Sequence, residues 1–143
     1  MFAPYRVGAI AQGDSEAWFG MARDDGAGNP DVPNSLYCTP LEKDSGIVQG
    51  QAQVVTGGSA SFTDTTNLQG VGSHYSYAAI MKQGSFVRMF IGGEGGWTQL
   101  RAQTVSYTVR HLILIATCDS QANPGNGIVG FDFVRYSPEF RLP

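Results

Sequence analysis

Charge is the scarcest commodity in this 143-residue sequence: only 15% of residues are Asp, Glu, Lys or Arg, against about 25% in an ordinary globular chain. The nine Lys and Arg are scattered and outnumbered by twelve Asp and Glu. No basic face is therefore available to neutralise phosphates, and nucleic acid is excluded as an expected partner. Long apolar runs are missing as well. The longest aliphatic stretch, Leu112 to Ala116, suits a strand and falls far short of the roughly 18 residues of a membrane span. The opening Met-Phe-Ala-Pro-Tyr-Arg lacks a basic segment followed by an apolar one, so no secretory signal is read there. Two cysteines, Cys38 and Cys118, are too few for a disulfide scaffold; a single bond or two buried thiols are the alternatives. Helical periodicity is nearly absent, and short alternating or aliphatic runs recur along the chain instead.

Aromatic residues and turn formers are plentiful. Eight Phe, six Tyr and two Trp can anchor a core, and a net charge of −3 is too small to hold the chain open. Nineteen Gly and seven Pro fit many short strands joined by tight turns. Strands are expected near 5–11, 15–22, 35–39, 46–55, 59–63, 74–82, 86–92, 97–102, 105–108, 110–117 and 128–137. Between them lie clusters such as Asp24-Asp25-Gly26-Ala27-Gly28-Asn29-Pro30-Asp31, Gly57-Gly58, Gln83-Gly84 and Gly92-Gly93-Glu94-Gly95-Gly96, whose residues tolerate positive φ or fix it. One domain spanning 1–143 is expected, all-β, as an antiparallel sandwich. Within it, Val87, Met89 and Ile91 share one face and Phe86, Arg88 and Phe90 the other, as in a central strand. Tyr75, Tyr77 and Ala79 share a face in the same way. Residues 110–116 are apolar on both faces, which predicts cover on both sides.

The order of the later strands resembles the concanavalin A-like, or laminin-G-like, jelly-roll family over about residues 58–137. The residues that carry the likeness are Ser73-His74-Tyr75-Ser76-Tyr77-Ala78-Ala79-Ile80, then Gly84-Ser85-Phe86-Val87-Arg88-Met89-Phe90-Ile91-Gly92, then Leu112-Ile113-Leu114-Ile115, then Gly130-Phe131-Asp132-Phe133-Val134-Arg135-Tyr136. Where the family usually has Asp-Gly or Asn-Gly after its second motif, this chain has Gly92-Gly93-Glu94-Gly95-Gly96. The resemblance implies a jelly-roll β-sandwich that binds glycans or protein surfaces. Catalytic members of that family carry acidic residues as E-x-D-x-x-E on one strand, and this sequence has no such array. Its acids sit singly in turns or at strand ends, whereas glycoside hydrolysis needs a pair of carboxyls at fixed separation. No nucleophile elbow, zinc motif or P-loop is present either, so a non-enzyme is expected.

Two candidate sites follow. Asp24, Asp25, Asn29 and Asp31 offer oxygens on a glycine-permitted loop, a donor set suited to a structural calcium ion, although the spacing is not that of an EF-hand; Asx turns are the competing reading. No other cofactor is expected. Trp97, with Glu94, Tyr107 and Asn126, is the expected carbohydrate contact, since sugars stack on aromatic rings beside a few placed polar groups. Trp18, between Ala17 and Phe19, reads as core. His74 and His111 read as structural, because no partner for catalysis stands near either in sequence. Low charge and the uncharged segment 46–55, hazardous as a free sheet edge, point to a homo-oligomer or larger assembly. The expectation is a carbohydrate- or cell-surface-binding module of a virion or extracellular surface. The alternative is a purely structural viral subunit, a capsid decoration or tail component.

Overall fold

The computed structural model describes residues 2–7, 15–44, 47–65, 77–93, 96–118 and 129–131. They form ten strands: β1 (Phe2–Val7), β2 (Ser15–Asp24), β3 (Pro30–Asp44), β4 (Ile47–Thr56), β5 (Ser59–Asp64), β6 (Tyr77–Gln83), β7 (Phe86–Gly93), β8 (Gly96–Thr104), β9 (Val109–Cys118) and β10 (Val129–Phe131). The architecture is all-β, two five-stranded antiparallel sheets in the orders β10-β1-β6-β7-β8 and β5-β4-β3-β2-β9. Each sheet is built on a run of hairpins, β6 to β8 in one and β2 to β5 in the other. In the second sheet β9, which follows its run, returns to lie beside β2, the order of a Greek key; in the first, β1 precedes its run and lies beside β6. No helix long and apolar enough to cross a membrane occurs among the described residues.

Turn chemistry accounts for the hairpins. Gly57 and Gly58 have φ of 58° and 84° between β4 and β5, and Gly84 has φ of 58° between β6 and β7, conformations a side chain makes costly. Proline is tolerated in β3 because Pro40 falls where the register with β4 shifts between Thr39 and Glu42, a bulge at which no ladder donor is required.

The alternating pattern then decides the core. Phe19, Leu36, Cys38, Ala52 and Val54 from one sheet meet Ala78, Ile80, Val87, Met89 and Ile91 from the other. A buried leucine- or phenylalanine-sized side chain contributes about 1.5–3 kcal/mol, so this layer dominates stability. β7 is central, as its two apolar faces predict, and the Val87, Met89, Ile91 face is the one turned to the core. Cys38 is a buried free thiol whose Sγ donates to the Phe90 carbonyl across the sandwich at 3.4 Å. Gly50 sits where a Cβ would come within 2.6 Å of Ile91 Cδ1, so its lack of a side chain sets how closely the sheets approach.

Two expectations are corrected, and one hazard is met by strand pairing. Residues 105–108 are not a strand but the link between the sheets, with Val105 and Tyr107 both buried in the core. Segment 46–55, a hazard if left as a free edge, is not left as one: β4 lies between β3 and β5 and pairs with both. Strand 109–118 is not covered on both faces. Among the described strands β9 borders its sheet, and Leu112 and Leu114 are 50% and 46% exposed.

Candidate functional site

The acidic loop joins β2 to β3, and its carboxylates are engaged locally. Asp24 Oδ1 accepts from the backbone N–H of Gly26 at 2.7 Å, and its Oδ2 lies 2.9 Å from His111 Nε2. Asp25 Oδ1 accepts from the N–H groups of Ala27 at 2.7 Å and Asn29 at 3.0 Å, while the Asn29 side-chain amide donates to Asp25 Oδ2 at 3.1 Å. Asp31 Oδ2 accepts from Arg23 Nε at 2.7 Å and Asn34 Nδ2 at 2.9 Å. These are Asx turns and side-chain ties that hold a glycine-bent hairpin. The hydrogen bond to His111 holds the Asp24 carboxyl below the usual range, and backbone donors led by Asn29 do the same for Asp25. Among the described residues no group of three or more His, Cys, Asp or Glu is placed to hold a metal ion. His111 has the structural partner that nothing in its own sequence neighbourhood supplied.

Of the expected carbohydrate contacts, Glu94 and Asn126 lie outside the described residues. Tyr107 is displaced from the role by burial, since it is only 5% exposed and belongs to the core. Its hydroxyl faces the carbonyl oxygens of Ser35 at 2.9 Å and Val55 at 3.0 Å. A ring sealed between the sheets cannot stack on a sugar.

Trp97 does reach a surface, though by a route the sequence does not show. Register places Tyr77 opposite Gly92, and Gly92 opposite Trp97, across β6, β7 and β8. Successive residues alternate between faces, so all three are on the side of the sheet away from the core. A Cβ on Gly92 would lie 2.8 Å from Trp97 Cδ2 and Cε3. Because glycine has none, the indole lies down over β7 and approaches the Tyr77 ring, with centroids 6.1 Å apart and planes inclined at 42°. Tyr77 is 39% exposed and Trp97 half-buried. Gln99 stands exposed on the same face opposite Phe90. Further along, the Arg88 guanidinium sits 5.1 Å above the Phe86 ring.

Chemically this is an aromatic floor with an amide and a cation on its flanks. Such a surface suits a ligand that has an apolar face and many hydroxyls. Strands β6, β7 and β8 contain no Asp or Glu, so the floor has no carboxyl pair of its own for glycoside hydrolysis. Tyr77, Gly92 and Gln99 are the members sequence reasoning did not assemble. Tyr77 was legible as one of a same-face set, but its pairing with Trp97 depends on two cross-strand registers. Comparison of the chain with protein-family models, with characterised proteins and with solved structures finds no match to any of them.

Proposed function

We propose that this chain is a non-catalytic β-sandwich module that binds carbohydrate, or a carbohydrate-bearing cell surface, through the outward face of β6, β7 and β8, as part of a virion or cell-surface assembly. The observation that carries the reading is the Tyr77–Trp97 pair laid over Gly92. A sugar ring resting there would place its C–H face on the aromatics and its hydroxyls toward Gln99. The likeness to concanavalin A-like domains points to the same ligand class. The test is titration with neutral oligosaccharides, followed by tryptophan fluorescence and calorimetry. Binding is expected to weaken at least tenfold in Trp97→Ala and in Tyr77→Ala. Absence of binding across a broad glycan panel, or binding equal in both variants, overturns it.

The second reading, a structural subunit acting through protein contacts, is favoured by the outward face of the other sheet. There Phe62, opposite Gln53, is 54% exposed. Stoichiometric incorporation into particles without glycan binding would support that reading over the first.

A further inference from the structure

We infer that the ligand of the aromatic face is an acidic oligosaccharide, whose anionic group is received by Arg88 while another of its sugar rings rests on Tyr77 and Trp97. The inference rests on the carbohydrate reading above and adds the charge of the ligand. Charge is divided unevenly between the two sheets. Among the described residues the β10-β1-β6-β7-β8 sheet carries Arg6, Lys82, Arg88 and Arg101 and no Asp or Glu, whereas all seven described acids lie in the other sheet or its β2–β3 hairpin. The chain as a whole has a net charge of −3, so an anion is drawn to it only where cations are gathered locally.

Of the cations in β6, β7 and β8, two are engaged elsewhere. The Lys82 ammonium donates to the Gly84 carbonyl in its own hairpin turn. Arg101 reaches across the sandwich to β5, where Nη1 donates to the Ser61 carbonyl at 2.8 Å and Nη2 to Ser61 Oγ at 2.6 Å. Arg88 stands on the outward face opposite Ala102 and is exposed. Among the described residues no carboxylate pairs with it, and its guanidinium lies 5.1 Å above the Phe86 ring. Stacking on that ring steadies the planar fork and leaves its N–H donors to a ligand. Such a fork fits the paired oxygens of an anion.

The register sets how far the cation stands from the aromatic floor. Arg88 and Gly92 are four residues apart on β7 and share a face, which separates their backbones by about 14 Å at the usual rise of a strand. Along that path β8 presents Gln99 and Ala102, both exposed, an amide followed by a side chain too small to obstruct. The distance exceeds a single sugar ring, so the stacked ring and the acidic unit are different members of one chain. The acidic unit is seated at the Arg88 end, away from the β7–β8 link in which Glu94 falls. The face is thus aromatic at one end and cationic at the other, and a neutral sugar would use only the first.

The test is calorimetric titration of the full chain with two matched pairs of probes: a uronic acid tetrasaccharide with its carboxyl-reduced counterpart, and a sulfated tetrasaccharide with its desulfated counterpart. At low ionic strength the acidic member of at least one pair should bind about fivefold more tightly, or better, than its neutral partner, as a charge-assisted hydrogen bond allows. The pair that shows the gain names carboxylate or sulfate as the group received. Salt at about 0.5 M should shrink the ratio towards one. Arg88→Gln should bring the ratio to one at low salt, Arg88→Lys should keep part of it, and Trp97→Ala should weaken both members while the ratio persists. Should Arg88→Gln disturb the far-UV circular dichroism, the wild-type ratio and its salt dependence decide the matter. A wild-type ratio of one in both pairs, or a ratio that survives in folded Arg88→Gln, overturns the inference and leaves the carbohydrate reading standing. Tetraglutamate binding as tightly as the acidic sugar overturns it in favour of an acidic peptide, and no binding of any tetrasaccharide overturns both readings.

Discussion

The phenolic oxygen of Tyr107 stands 2.9 Å from the backbone carbonyl oxygen of Ser35, and this bond anchors the link between the two sheets to the middle of one of them. Val55 presents a second carbonyl at 3.0 Å, so one hydroxyl ties residue 107 to both β3 and β4. Burial of that hydroxyl is tolerable only because it is paired.

Tyr107→Phe keeps the ring and removes the donor. It should cost about 1–3 kcal/mol, the range for leaving buried polar groups unsatisfied. A urea titration would show a lower midpoint with an unchanged slope. An unchanged midpoint would mean that the hydroxyl contributes nothing to the anchor.

Alkaline stability follows from the same residue and from Cys38. Burial pushes the Tyr107 hydroxyl from 10.0 up to about 12 and the Cys38 thiol from 9.0 up to about 12. Both raised values favour the protonated form in the folded chain. Their stabilising contribution is complete below about pH 9 and is lost as pH rises to about 12. Thermal melts across pH 8–12 should show that decline, smaller in Tyr107→Phe. In a Cys118→Ser chain, the remaining thiol should resist modification at pH 8 until the protein is unfolded.

On the acid side the sign reverses. Asp24 and Asp25 are held below 3.8 in the folded chain, Asp24 chiefly by His111 and Asp25 chiefly by the Asn29 N–H. The stability they contribute is present above pH 3.8 and disappears as pH falls through their lowered folded values. Asp24→Asn and Asp25→Asn should each make the melting temperature less sensitive to pH below 4. In His111→Ala, carboxyl NMR titration should find Asp24 moved upward toward 3.8; no movement would separate the two side chains energetically.

Gly92 is the residue on which the aromatic face depends. Gly92→Ala places a methyl 2.8 Å from the indole of Trp97, and overpacking of this kind costs about 1–3 kcal/mol. The indole must lift away from Tyr77, which should shift tryptophan emission and weaken oligosaccharide binding. Gly84→Ala, at a positive-φ turn with open space around it, is the control: it should lower stability through backbone strain and leave the emission unchanged.

How far the sequence could be read varies element by element. The β6–β7 hairpin follows from Gln83-Gly84 between apolar alternations, and the inward set Val87, Met89 and Ile91 follows from the two-residue period alone. The Asp24–Asp31 loop was legible as Asx chemistry, but its His111 partner was not, because that residue is 87 positions away. Tyr107 misled because polar neighbours make a short segment look exposed, when in fact it crosses between sheets through the core. Whether segment 46–55 would be left as a free edge was not legible for the same reason: composition describes a strand but not its neighbours.

Composition and local pattern determined that this chain is all-β, where most of its turns fall, and which residues of β7 face inward, because backbone sterics and side-chain alternation act over a few residues. Scarcity of charge was evident at once, but which surfaces it leaves uncharged was not. Only tertiary structure decided that β4 is interior, that Tyr107 is sealed, and that Gly92 brings Trp97 over to Tyr77. Each depends on which strands become neighbours and in what register, and that choice is made by the packing of two whole sheets.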